Sequence, residues 1–155
     1  MTFTRKLRLT VLTALLAGAP LLSQAALTQV RFAVDPTYPP FESKTNDGKL
    51  VGFDIDLGNA LCQAMNVKCV WVTNEFDGMI PALKARKFDA ILSDMGVTAE
   101  RLKQIDFTVP VYNTPVMLVA RKGSGLLPTA ESLKGKSVGV EQGTIQERYA
   151  RAKWQ

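Results

Sequence analysis

Short apolar runs alternating with amphipathic stretches constrain this chain more than any other feature of its sequence. Val30 to Val34, Val70-Trp71-Val72 and Asp89 to Leu92 are brief, rich in β-branched or aromatic residues, and followed by Asp, Asn or Ser, as buried strands are. Between the first two, Ile55, Leu57, Leu61 and Met65 recur at helical spacing from Asp54 onward. Asp54 or Asp56 then lies near the helix N-terminus, where a negative charge is favoured. Between the second and third, Asp77 opens a short helix to Lys87, with Pro81 tolerated only in its first turn. A further short helix is expected from Thr98 to about Gln104. Strands alternating with helices predict a parallel, or mostly parallel, sheet covered on both faces, an α/β fold. Asp35-Pro36-Thr37-Tyr38-Pro39-Pro40 stops the first strand with proline chemistry. Asn46-Asp47-Gly48 marks a turn between Phe41-Glu42-Ser43 and Leu50-Val51-Gly52-Phe53.

The pattern changes after Phe107-Thr108-Val109-Pro110. Val116 to Ala120 reads as a long apolar strand and Lys122 to Gly125 as a flexible link. Ser137 to Val140 then starts a fresh strand, with a loop through Thr144 and a helix from Ile145. One strand and one helix cannot bury their apolar faces alone, so this is the beginning of a second lobe.

Ahead of all this, Arg5, Lys6 and Arg8 precede an apolar stretch from Leu9 to Leu22 and a small-residue site, Ser23-Gln24-Ala25, the pattern of a secretory signal peptide. Removing that leader leaves 16 basic against 14 acidic residues, so the net charge falls from +5 to +2. The remaining basic residues are interspersed with acidic ones, and no nucleic-acid patch stands out. An oxidising destination makes a disulfide the default for Cys62 and Cys69, the only two cysteines, with a pair of reduced core thiols as the alternative. Residues seven apart in one helix would lie about 10 Å from each other, beyond the roughly 7 Å a disulfide spans, so the helix must end between them, at Asn66-Val67. With no histidine and only two thiols, neither a metal site nor a cofactor is expected.

Arg101 is the conspicuous residue. If Thr98 caps the short helix, Arg101 stands in its first turn, where the helix dipole disfavours a cation. An anion bound there would satisfy both the guanidinium and the free backbone amides. The loops holding Asp35 to Tyr38 and Ser93 to Gly96 each follow a strand, so a parallel sheet brings them to its carboxyl edge, where open α/β folds bind ligands. Tyr38 and Phe76 offer flat apolar faces, each of which would equally suit a core. Asp35 would equally serve an Asx turn, and Gln142-Gly143-Thr144 is a second backbone nest for an anion.

The runs DPTYPPFESKTNDGKLVGFDIDLGNALC, IPALKARKFDAILSDMGVTAERLKQIDFT and ESLKGKSVGVEQGTIQE resemble the periplasmic solute-binding proteins that deliver polar amino acids to ABC transporters, most of all the lysine/arginine/ornithine and histidine binders. The resemblance covers residues 28 to 150 and includes the cysteine pair. It implies a periplasmic-binding-protein-like two-lobe fold (type II): residues 1–25 signal peptide, 26–112 first lobe, 113–121 hinge or crossover strand, and 122–155 the start of a second lobe. It further implies that Arg101 clamps the ligand α-carboxylate, with backbone amides at Gly96, Thr144 and Ile145. Ser93 and the Asp94 carbonyl would face the polar end of the ligand, Tyr38 and Phe76 would sandwich its side chain, and Asp35 would meet a distal cation. Gln146 matches a further contact. Asp94, Gly96, Glu141 and Ile145 depart from the basic amino-acid binders, which have serines, a leucine and a threonine at these positions. Asp94 and Glu141 add negative charge that favours a cationic ligand, or else are solvated rim residues. Relatives in that family continue well past this length, so the chain is expected to be a fragment that binds its amino acid weakly when expressed alone. The implied partners are a small amino acid and a membrane permease, the protein itself being a monomer. An enzyme of the cyclohexadienyl-dehydratase type, with Glu141 or Asp94 as acid, and a receptor sensor domain are the rival readings.

Overall fold

The computed structural model describes residues 27–154; the expected signal peptide at 1–25 lies outside the described residues. Three parallel strands form the central sheet: β1 (Gln29–Val34) lies between β5 (Lys68–Thr73) and β6 (Ala90–Ile91). The order arises because each strand returns through a helix, which in a parallel sheet must cross one face. A small antiparallel sheet, β2 (Thr37–Tyr38), β3 (Glu42–Lys44) and β4 (Leu50–Val51), intervenes before α1 (Phe53–Ala64). After β5, a 3₁₀ turn at Phe76–Gly78 leads into α2 (Met79–Lys84), in place of one helix from Asp77 to Lys87. Next come β6, α3 (Ala99–Leu102), α4 (Ala130–Leu133) and α5 (Ile145–Trp154).

The two-residue period of β1 divides its side chains between two apolar layers. Val30 and Phe32 are buried with Cys62 of α1, and Cys69, Trp71, Ala90 and Leu92 pack around them. Ala33 faces the other way, onto Met79 and Ala82 of α2 and onto Phe88, with Val72, Phe76 and Ile91 alongside. Each fully buried large side chain in these layers contributes roughly 1.5–3 kcal/mol. The close approach of α1 to the sheet needs Gly58, where an added Cβ would lie 2.6 Å from the Trp71 ring.

α1 ends where the cysteine spacing requires. Val67 donates its amide to the Cys62 carbonyl at 3.0 Å, and Asn66 takes a positive φ of 53°, reversing the chain. Cys69 then returns in β5 to meet Cys62, with the two Cα atoms 5.6 Å apart, and the disulfide is formed rather than two free thiols. At the other end of the helix, Gly52 holds φ at 130° against the Phe41 carbonyl, a position that admits no side chain.

The later part of the chain departs from expectation. Neither Val116 to Ala120, the expected crossover strand, nor Ser137 to Val140 belongs to any sheet among the described residues. Both segments are apolar enough to be strands, but a strand is stable only when a neighbour takes its hydrogen bonds, and no described strand lies beside them. Val116, Met117 and Val119 are accordingly exposed. The short α4 was not expected; Thr129 caps it, accepting the Ser132 amide at 3.2 Å.

Candidate functional site

β1 and β6 are parallel neighbours, so the residues that leave their carboxyl ends meet. The Asp35 amide donates to Ser93 Oγ at 3.0 Å, and that hydroxyl donates to Glu42 Oε1 at 2.7 Å. The Asp35 carboxylate accepts from Thr37 Oγ1 at 2.9 Å and from the Phe76 amide at 2.9 Å. It therefore both closes its own turn and ties down the loop after β5. Ser93 is buried, and its only proton is already donated to Glu42.

Arg101 is not a surface arginine: 8% of it is exposed. Thr98 caps α3 as anticipated, accepting the Arg101 amide at 3.2 Å. The guanidinium lies 5.3 Å from the centre of the Phe76 ring and donates to the carbonyls of Gly96 (2.7 Å) and Gly143 (3.0 Å). Among the described residues it makes no ion pair. Burial lowers its pKa, and the nearby Arg148 cation adds to the effect. A buried cation held by dipoles alone has unused attraction for an anion.

The same cleft is lined by carboxylates, Asp35, Glu42, Asp94 and Glu141. Glu42 is 1% exposed and Asp54 is fully buried. Asp54 accepts from the Tyr112 hydroxyl at 2.9 Å and from the Asp94 amide at 3.1 Å. That second bond holds Asp94 at a φ of 42°, a left-handed conformation that aspartate tolerates better than most residues. Burial pushes the Glu42 carboxyl up to about 8, with the charge of Asp54 contributing, and likewise raises Asp94. Glu141 is also raised, by burial and then by Asp35. None of Asp35, Glu42, Asp94 and Glu141 has a Lys or Arg partner among the described residues.

All ten residues expected at the site, Asp35, Tyr38, Phe76, Ser93, Asp94, Gly96, Arg101, Thr144, Ile145 and Gln146, line one open cleft of about 840 Å³. Its size is in the range of small-molecule sites. Tyr38 stacks on Phe41 with ring centres 5.7 Å apart, and Phe41 in turn stacks on Tyr112 at 5.0 Å, so an aromatic column backs that wall. The start of α5 closes the other side. Thr144 Oγ1 accepts the Glu147 amide at 3.1 Å while Glu147 accepts the Gly143 amide at 2.7 Å, a reciprocal cap that fixes the loop beside Arg101. The first amides of such a helix have no acceptor within it.

One buried cation, several carboxylates and aromatic surface in a single cleft suit a zwitterion. The sequence pattern of the bacterial extracellular solute-binding proteins, family 3, matches residues 30–151. The chain belongs to this family. It is 53% identical over 128 residues to the L-arginine-binding protein of Pseudomonas aeruginosa, covering 83% of this chain and 49% of that protein. It is 52% identical over 133 residues to the lysine/arginine/ornithine-binding periplasmic protein of Escherichia coli K12, covering 85% and 51%. Among solved structures, a Salmonella typhimurium periplasmic binding protein described as having high arginine specificity superposes with a TM-score of 0.73 at 40% identity, over 80% of this chain and 55% of that one. The two-lobe fold of these proteins is thus the one expected from the sequence, and the chain spans about half the length of the curated relatives it matches.

Three residues, Glu42 in the cleft and Asp54 and Tyr112 bonded to one another nearby, were not foreseen. Glu42 sits in a strand where alternation specifies a face but not whether that face is covered. Asp54, expected only as a charge near the helix N-terminus, is there and is buried, and Tyr112 comes from a stretch without any motif. For Asp54 a signal existed: it stands four and eight residues before Gly58 and Cys62, on the face of α1 that is buried.

Proposed function

We propose that this chain binds a polar amino acid with a cationic side chain, of the lysine, arginine, ornithine or histidine class, in the periplasm for delivery to an ABC transporter permease. The observation that carries the proposal is the buried, unpaired Arg101 in the same cleft as a set of carboxylates that lack cations. Arg101 takes the ligand α-carboxylate, with the Gly96, Thr144 and Ile145 amides assisting. Phe76 and Tyr38 flank the side chain; Asp35, Ser93, the Asp94 carbonyl and Gln146 contact polar groups of the ligand. Uptake follows hinge closure: residues 26–112 dock the ligand and residues 122–155, linked through 113–121, close over it, as the bond from Arg101 to the Gly143 carbonyl begins to do. The leader at 1–25 directs export, and the mature protein works as a monomer. The names of the relatives support both the ligand class and the compartment.

No covalent step is needed, so the chain acts as a binder and not as an enzyme. Calorimetric titration with arginine, lysine, ornithine, histidine, glutamine and prephenate tests this. Heat from the cationic amino acids is expected. Binding of neutral amino acids alone, or product formation from prephenate, would overturn it.

A further inference from the structure

Glu42, which lines the cleft, and the fully buried Asp54 pose a problem of hydrogen bonding. Glu42 Oε1 accepts from Ser93, but Oε2, fully shielded from solvent, has no donor among the described residues. The Asp54 carboxylate, itself an acceptor, lies within reach of the Glu42 carboxyl. Two acceptors can face each other inside a protein only if a proton lies between them. Asp54 already accepts from Tyr112 and from the Asp94 amide, whereas Glu42 Oε2 is the atom without a donor, so the proton is placed on Glu42. The other groups around Glu42 do not supply a cation: Tyr38 on β2, Tyr112, and Ser93, Asp94 and Asp35 at the strand ends are all neutral or acidic.

We propose that this buried proton is a stand-in for the ligand's side-chain cation, and that Glu42 distinguishes cationic from neutral side chains by exchanging one for the other. When an ammonium or guanidinium group enters the cleft beside Asp94 and Glu42, the O–H bond of Glu42 breaks and its proton leaves to water. The carboxylate formed pairs with the incoming charge. One positive charge replaces another, so the pair is never left as two uncompensated carboxylates. A neutral side chain offers no replacement, and the proton stays. This rests on the reading of the cleft as an amino-acid site.

The test is titration calorimetry of the chain with arginine and with citrulline, its uncharged isostere, in two buffers of different ionisation enthalpy. With the Glu42 carboxyl raised to about 8, roughly nine-tenths of the molecules carry the proton at pH 7. Arginine is expected to release about one proton per molecule bound, and its affinity to rise by about tenfold per pH unit from pH 6 to 7.5. Citrulline should release none and show a flat profile. In Glu42→Gln the release disappears, the slope for arginine flattens, and the preference for arginine over citrulline falls about tenfold or more. If that variant does not fold, the two-buffer comparison on the native chain decides. Arginine binding with no proton released, or equal release with citrulline, overturns this inference and leaves the proposed function standing. Failure of every amino acid to bind, up to millimolar concentration, overturns both.

Discussion

Replacing Arg101 by methionine keeps an unbranched apolar stem, shortens the side chain and removes its charge. In the empty protein two terms oppose each other. The substitution loses the donations to the Gly96 and Gly143 carbonyls, at 2.7 and 3.0 Å, each a charge-assisted bond contributing about 1.5–3 kcal/mol. It also relieves the burial of a guanidinium that has no counter-charge among the described residues, a penalty of several kcal/mol. The net effect on folding should be smaller than about 2 kcal/mol. In the ligand-bound protein only one term acts, because the α-carboxylate would be buried without its cation, at a cost of about 3–5 kcal/mol. The expected outcome is a nearly normal melting curve together with at least about a hundredfold loss of arginine and lysine affinity. Calorimetric titration beside thermal unfolding reads both. If the variant melts normally and binds within about fivefold of the original, the carboxylate clamp is wrong.

The raised carboxyl of Glu42 has a consequence for stability without any ligand. Its folded value of about 8 exceeds the usual glutamate value, so between about pH 4.5 and 8 the folded chain binds more protons than the unfolded one, and stability must fall as pH rises through that window. Urea unfolding at a series of pH values should show the decline, and Glu42→Gln should flatten it; a midpoint that climbs from pH 5 to 8 because of Glu42 would contradict the buried proton. Replacing both Cys62 and Cys69 by serine opens a short loop, for which the chain-entropy relation gives about 2.5 kcal/mol of lost stability, measurable as an earlier denaturant midpoint with unchanged slope. In Gly52→Ala the added Cβ would run into the Phe41 carbonyl oxygen at a φ of 130°, and a loss of at least about 2 kcal/mol is expected. A melting temperature unchanged to within about 1 °C would show that the turn before α1 is not so constrained.

Much of the fold was legible because it is written in local periods. The alternation of Val30 and Phe32 with Ala33, the helical spacing from Ile55 to Met65, and the interval from Cys62 to Cys69 each encode an element or its end within a few residues. Arg101 was legible for the same reason: its place after Thr98 sets a cation against a helix dipole, a conflict visible without knowing the tertiary structure. The expected strands at 116–120 and 137–140 failed because propensity is local whereas pairing is not.

The acids show the division most clearly. By itself, the sequence determined where strands, helix ends and the capped arginine fall, since these follow from neighbours along the chain. Only the tertiary structure decided that Glu42, Asp54 and Asp94, drawn from a hairpin, a helix start and a strand end, come together. The state of a carboxyl group depends on what surrounds it in three dimensions, on solvent lost and charges approached, and neither is carried by its position in the chain.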